Sequence, residues 1–170
     1  YQVEGSSMDP TLSEGECVLS NKFIYTRFDT TGLSKYVTSL DKHQGHVLFL
    51  FHPPKRGEIV VFRYPKDPDR HFVKRIIGIP GDQVEIKKGA VLVNGYGIEE
   101  PYLNPLPSTS NWGPSIVQAE NYFVLGDNRA ASNDSRSWGS ISNEHLVGRY
   151  WFKYWPALCS VAPLKQGDLK

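Results

Sequence analysis

Hydrophobic positions recur with a period of two along most of this chain, and that period predicts strands rather than helices. Residues 47–51 form a short continuous apolar run that reads as a buried strand, closed by Pro53-Pro54. Residues 58–64 and 72–79 are rich in β-branched and aromatic side chains and read as two further strands, the second stopped by Pro80-Gly81. Residues 84–87 and 90–93 flank Lys88-Gly89, a tight hairpin, and Asn94-Gly95 marks another turn. Residues 121–125 run into Gly126-Asp127-Asn128, and 146–152 make a last strand. Two prolines within residues 64–69 predict a loop there, as does the polar, proline-rich stretch 101–114. The pattern changes only once. Leu33, Tyr36, Val37 and Leu40 fall at helical spacing, so 30–46 reads as an insertion carrying a short amphipathic helix. The expected architecture is mainly β, antiparallel sheets with long loops. A domain over 1–155 carries the insertion 30–46 and a loop-rich excursion around 96–120, and 156–170 is a frayed tail.

Composition agrees with many short strands: of 170 residues, 15 are Gly, 12 are Pro and 12% are aromatic. Lys plus Arg is 19 and Asp plus Glu is 18, so the net charge of +1 gives no footprint for nucleic acid. No apolar run reaches the roughly 18 residues that crossing a bilayer requires. The only cysteines are Cys17 and Cys159, without zinc spacing; they read as two buried thiols, or as a disulfide in an oxidising compartment.

Three segments carry unusual polar chemistry. Gly5-Ser6-Ser7-Met8-Asp9-Pro10-Thr11-Leu12 is a turn that can expose a hydroxyl and backbone N–H groups. His71-Phe72-Val73-Lys74-Arg75-Ile76-Ile77-Gly78 places Lys74 on one strand face with Phe72 and Ile76, and Arg75 on the other with Val73 and Ile77. A lysine aimed into apolar surroundings loses solvation, its pKa falls, and it becomes a general base; an edge strand with solvated cations is the plainer alternative. The third segment, Gly126 to Gly139, is dense in short hydrogen-bonding side chains that can knit a rigid loop, with Asp134 and Arg136 a natural ion pair.

Together these segments resemble the type I signal peptidases, the Ser-Lys endopeptidases that remove secretory signal peptides. The run at 7–12 is similar to the family's nucleophile box. Arg56 to Phe62 and Val73 to Asp82 are similar to its lysine box, and Gly126-Asp127-Asn128-Arg129 through Trp138-Gly139 to its third box. The resemblance implies Ser7 as nucleophile, Lys74 as general base and Ser132 as a hydrogen-bonding support for Lys74. It also implies Asp134 and Arg136 as a structural pair, and an oxyanion hole formed by the Ser7 backbone N–H. Val3, Met8, Leu12, Phe72 and Val73 match positions that line the pockets for small residues at the cleavage site. No metal and no cofactor is implied.

The chain departs from the family at Gly5, where some members carry a serine whose hydroxyl faces the oxyanion, and at Ala130-Ala131, where Asp-Asn is usual. The resemblance further implies signal peptides of preproteins as substrates, cut after an A-x-A type site. It implies a membrane anchor that these residues do not contain, and a catalytic part on the trans side, meaning the periplasm, the extracellular face or the thylakoid lumen. A membrane surface is an expected partner; nucleic acid is not. Tyr150 to Trp155 holds five aromatics in six residues, which fits either a lipid–water interface or a strand with alternate residues in the core. The competing functions are a repressor-type Ser-Lys autopeptidase and a non-catalytic β-sheet binding module.

Overall fold

The computed structural model describes residues 1–29, 47–103, 109–154 and 163–165. The strands are β1 (Gln2–Glu4), β2 (Cys17–Asn21), β3 (Arg27–Asp29), β4 (Val47–Phe49), β5 (Ile59–Tyr64), β6 (Asp67–Gly78), β7 (Gln83–Lys87), β8 (Ala90–Val93), β9 (Tyr96–Gly97), β10 (Trp112–Ile116), β11 (Asn121–Leu125), β12 (Ile141–Ser142), β13 (Leu146–Tyr154) and β14 (Pro163–Lys165). Among the described residues one α-helix, α1 (Ser135–Trp138), interrupts them. An eight-stranded sheet runs β12-β11-β6-β5-β13-β2-β1-β14, a four-stranded sheet runs β10-β7-β8-β9, and β3 pairs with β4.

The mainly antiparallel β architecture expected from the sequence is therefore present, with one exception in direction: β14 pairs with β1 in parallel. Period two explains the layering. On β5 and β6, Ile59, Val61 and Val73 join Val3, Met8, Leu12 and Val18 in one apolar cluster. Their neighbours Val60, Phe62, Phe72 and Ile76 join Tyr122, Val124 and Ile141 in a second. Both strands are thus buried on two faces, which is why they read as nearly continuous apolar runs. A third cluster, with Ile77, Phe123 and Leu125 facing Val84, Ile86, Val91, Val93 and Val117, holds the four-stranded sheet against the larger one. Gly78 sits where the layers meet; a Cβ there would lie 2.6 Å from Val84 Cγ2.

Several expectations need correction. The loop predicted over 64–69 shrinks to the turn at Pro65-Lys66, because β6 begins at Asp67 and Asp67 already pairs with Tyr64. Within the predicted loop 101–114, β10 starts at Trp112 and includes Gly113 and Pro114; it is an edge strand of the four-stranded sheet, where proline is tolerated. The third polar segment contains α1 rather than loop alone. Within the predicted tail, Pro163–Lys165 form β14. Cys17 is buried and disulfide-bonded, not a free thiol, while Cys159 lies outside the described residues. The helix expected in 30–46 also lies outside them. Among the described residues no helix is long and apolar enough to cross a membrane.

Candidate active site

The site forms where the loop after β1, the middle of β6 and the segment after β11 converge. Lys74 Nζ donates to Ser7 Oγ at 2.6 Å and to the Val73 carbonyl at 3.0 Å. Both side chains are closed to solvent, Ser7 at 1% and Lys74 at 0% exposure. The ammonium nitrogen lies 5.5 Å from the Phe72 ring centroid. Burial lowers the Lys74 pKa from its ordinary 10.5 to about 8, and the charges of Asp134 and Asp127 act in the opposite direction. A lysine so placed is neutral in a useful fraction of molecules near neutral pH and can take a hydroxyl proton.

The backbone of the Ser7 loop is held from the third segment. Asn128 N–H donates to the Ser7 carbonyl at 3.0 Å. Gly126 lies so close that a Cβ would come 2.4 Å from the Ser7 carbonyl oxygen and 2.3 Å from Ser132 Oγ. Glycine is required here by contact, not by backbone angle.

Asp134 and Arg136 do pair, Nε to Oδ1 at 2.8 Å, with Asp134 fully buried. Asp134 Oδ2 also accepts from Gly126 N–H at 3.1 Å, and Oδ1 caps α1 through Arg136 N–H. Arg136 reaches on to the carbonyls of Arg129 and Ser132. Ser135 Oγ takes the Val124 N–H at 3.0 Å, where the pairing of β11 with β6 is irregular.

Ser132 departs from expectation. It is buried, but its Oγ makes no hydrogen bond among the described residues, so the bond to Lys74 is not formed in this structure. The five pocket residues also divide. Val3, Met8, Leu12 and Val73 share one apolar cluster, whereas Phe72 packs in the second. None exceeds 1% exposure, so they form no open subsite here.

A clasp that the sequence reading missed ties the loops together. Arg75, next to Lys74, grips Asp127 through both oxygens at 2.9 and 2.6 Å, and Asp127 Oδ2 also accepts from Thr11 in the Ser7 loop. The Arg75 guanidinium stacks 3.7 Å from the Tyr102 ring centroid and donates to the Gly57 carbonyl. Arg129 pairs with Glu100, extending the clasp into the excursion. The available signal was a charged residue inside an apolar strand, which demands a partner when buried. Of the histidines that could offer a different base, His71 packs on Tyr1, and His145 Nδ1 lies 2.8 Å from Ser142 Oγ.

Comparison with known proteins gives the family of the chain. The family model described as signal peptidase, peptidase S26, matches residues 1–155. Signal peptidase IB of Staphylococcus aureus is 36% identical over 174 aligned positions, covering 92% of this chain and 77% of that protein. Signal peptidase I of Leptolyngbya laminosa is 39% identical over 118 residues, covering 65% of this chain; the chain spans only 57% of that relative. A crystal structure of a signal peptidase I from Enterococcus faecalis V583 superimposes with a TM-score of 0.52 at 30% identity, covering 58% of this chain and 97% of that one. With the family model matched over nearly all of its described length, the chain belongs to the signal peptidase family of S26 serine peptidases.

Proposed function

We propose that this chain is the catalytic part of an endopeptidase that removes N-terminal signal peptides from exported preproteins, cutting after a small residue with Ser7 as nucleophile and Lys74 as general base. The observation that carries the reading is the 2.6 Å contact from Lys74 Nζ to Ser7 Oγ within a fully buried pair. Neutral Lys74 takes the Ser7 proton as Oγ attacks the scissile carbonyl carbon. The resulting ammonium then protonates the departing amine, leaving an ester on Ser7. In the second half Lys74 takes a proton from water, the hydroxide adds to the ester, and Ser7 Oγ recovers its proton. While Ser7 is esterified it no longer accepts from Nζ in the same way. Ser132, buried with an unpartnered Oγ, is the group we assign to steady the lysine at that stage. Asp134 and Arg136 hold the loop that carries it.

A membrane surface on the trans side is the proposed working place. Trp151 and Phe152 stand exposed side by side on β13, with ring centroids 5.2 Å apart, and Phe152 is opposite the exposed Leu19 of β2. Aromatic side chains of this kind favour the lipid–water boundary.

The test is cleavage of an Ala-x-Ala reporter peptide by the parent, Ser7→Ala and Lys74→Met chains. Cleavage by the parent alone supports the reading. Full turnover by either variant contradicts it, and cleavage of the chain by itself without turnover of the reporter favours the autopeptidase.

A further inference from the structure

β14 occupies a position with a consequence for substrate access. β1 leads into Ser7 through only Gly5 and Ser6. Its two edges are distinct. Val3 spends its N–H on the Glu16 carbonyl at 2.7 Å and its carbonyl on Gly15 N–H at 2.8 Å, both on the β2 side. Alternation then turns the backbone groups of Gln2 and Glu4 toward the opposite edge, where β14 lies. The parallel register sets Gln2 against Pro163, Val3 against Leu164 and Glu4 against Lys165. In a parallel ladder of this register, Leu164 is the residue whose N–H and carbonyl meet Gln2 and Glu4, while Pro163, which has no N–H, needs none on that edge. β14 also packs against β6, the strand that carries Lys74. The segment therefore lies between the two strands that supply the reacting pair, and in this state both side chains are closed to solvent.

We propose that β14 is a resident occupant of the β1 edge, an intramolecular competitor that an extended substrate peptide must displace. Strand addition to an open edge supplies affinity through main-chain hydrogen bonds and reads few side chains. An extended peptide on this edge, running parallel to β1, passes directly toward the Ser7 hydroxyl, and β14 holds that edge by the same bonds. The inference rests on the assignment of Ser7 and Lys74 as the reacting pair.

The experiment uses full-length Leu164→Pro, which removes the N–H that β14 offers to β1. Full-length Leu164→Gly, which only weakens strand formation, serves as a second variant should the proline chain fold poorly. Two quantities are read. Hydrogen exchange at the Glu4 amide should accelerate by about two- to tenfold, the range that one backbone hydrogen bond is worth, while the Val3 amide keeps its protection. KM for an extended Ala-x-Ala peptide should fall while kcat stays constant. Unchanged Glu4 exchange would overturn the docking of β14, and faster exchange with an unchanged or higher KM would overturn the competition. If the parent itself cleaves nothing, the assignment of the reacting pair fails instead. The edge is then read by binding of a fluorescent peptide of residues 161–168, which should be tighter to Leu164→Pro than to the parent; equal binding overturns the proposal.

Discussion

At the scale of single residues the charge on Lys74 bears on stability and, in the proposed role of base, on activity. With its pKa lowered from 10.5 to about 8, folding disfavours the ammonium by about 3 kcal/mol, at roughly 1.36 kcal/mol per unit. The unfolded chain binds the proton more tightly, so the penalty is complete below about pH 8 and is relieved as pH rises toward 10.5. Lys74→Met removes the ammonium and keeps the length. It should be inactive, and its melting temperature should match or exceed the parent's at pH 7, with the advantage shrinking above pH 8. Ser132→Ala deletes a buried hydroxyl that has no partner, so it should leave the melting temperature unchanged or slightly raised while slowing turnover. Gly126→Ala should cost most of the activity, because its methyl would displace the Ser7 carbonyl and Ser132 together. A Gly126→Ala enzyme with parental kcat would mean that this contact does not position Ser7 for turnover.

At the scale of elements, the Asp134 network joins α1, the end of β11 and the Ser132 turn. Asp134→Asn keeps the shape but leaves Arg136 without its counter-charge in a mostly buried setting, and should lower stability by about 2–4 kcal/mol together with activity. Denaturant unfolding of the variant checks this; an unchanged midpoint would show that the pair does not hold the loop. This pair was legible in the sequence because its members are two residues apart and surrounded by short polar side chains. β5 and β6 were legible too, since burial on both faces leaves an uninterrupted β-branched run. β10 and β14 were not, because each carries a proline and each owes its existence to a distant partner strand. α1 escaped notice because four residues give no period, and its Asp134 cap looked the same as any polar loop. The Arg75–Asp127 clasp spans 52 positions, and spacing says nothing about such a pair. The pocket residues carried over from the resemblance show the opposite limit: matching positions did not reveal that Phe72 packs away from the other four.

For the molecule as a whole, the sheets serve to bring three loops from distant parts of the chain onto one buried contact. Asp127 touches Arg75 on β6 and Thr11 in the Ser7 loop at once, so the fold's closure and the site's geometry share the same bonds. Asp127→Asn should therefore raise KM and lower kcat together, with a cooperative loss in melting temperature, whereas a fall in kcat alone at parental stability would assign it a purely local role. The exposed pair Trp151 and Phe152 bears on where the molecule works. Replacing both with Ser should weaken sedimentation with lipid vesicles while leaving hydrolysis of a short soluble peptide intact.

The central claim is that a buried lysine, and no histidine, is the base for Ser7. The pH dependence of kcat/KM on a short Ala-x-Ala peptide reads it most directly, because that profile reports the free enzyme's base. A single rise with an apparent pKa near 8 is expected, unchanged in His71→Ala and His145→Ala and absent in Lys74→Met. A rise at or below the ordinary histidine value of about 6.5 that disappears in either histidine variant would contradict it.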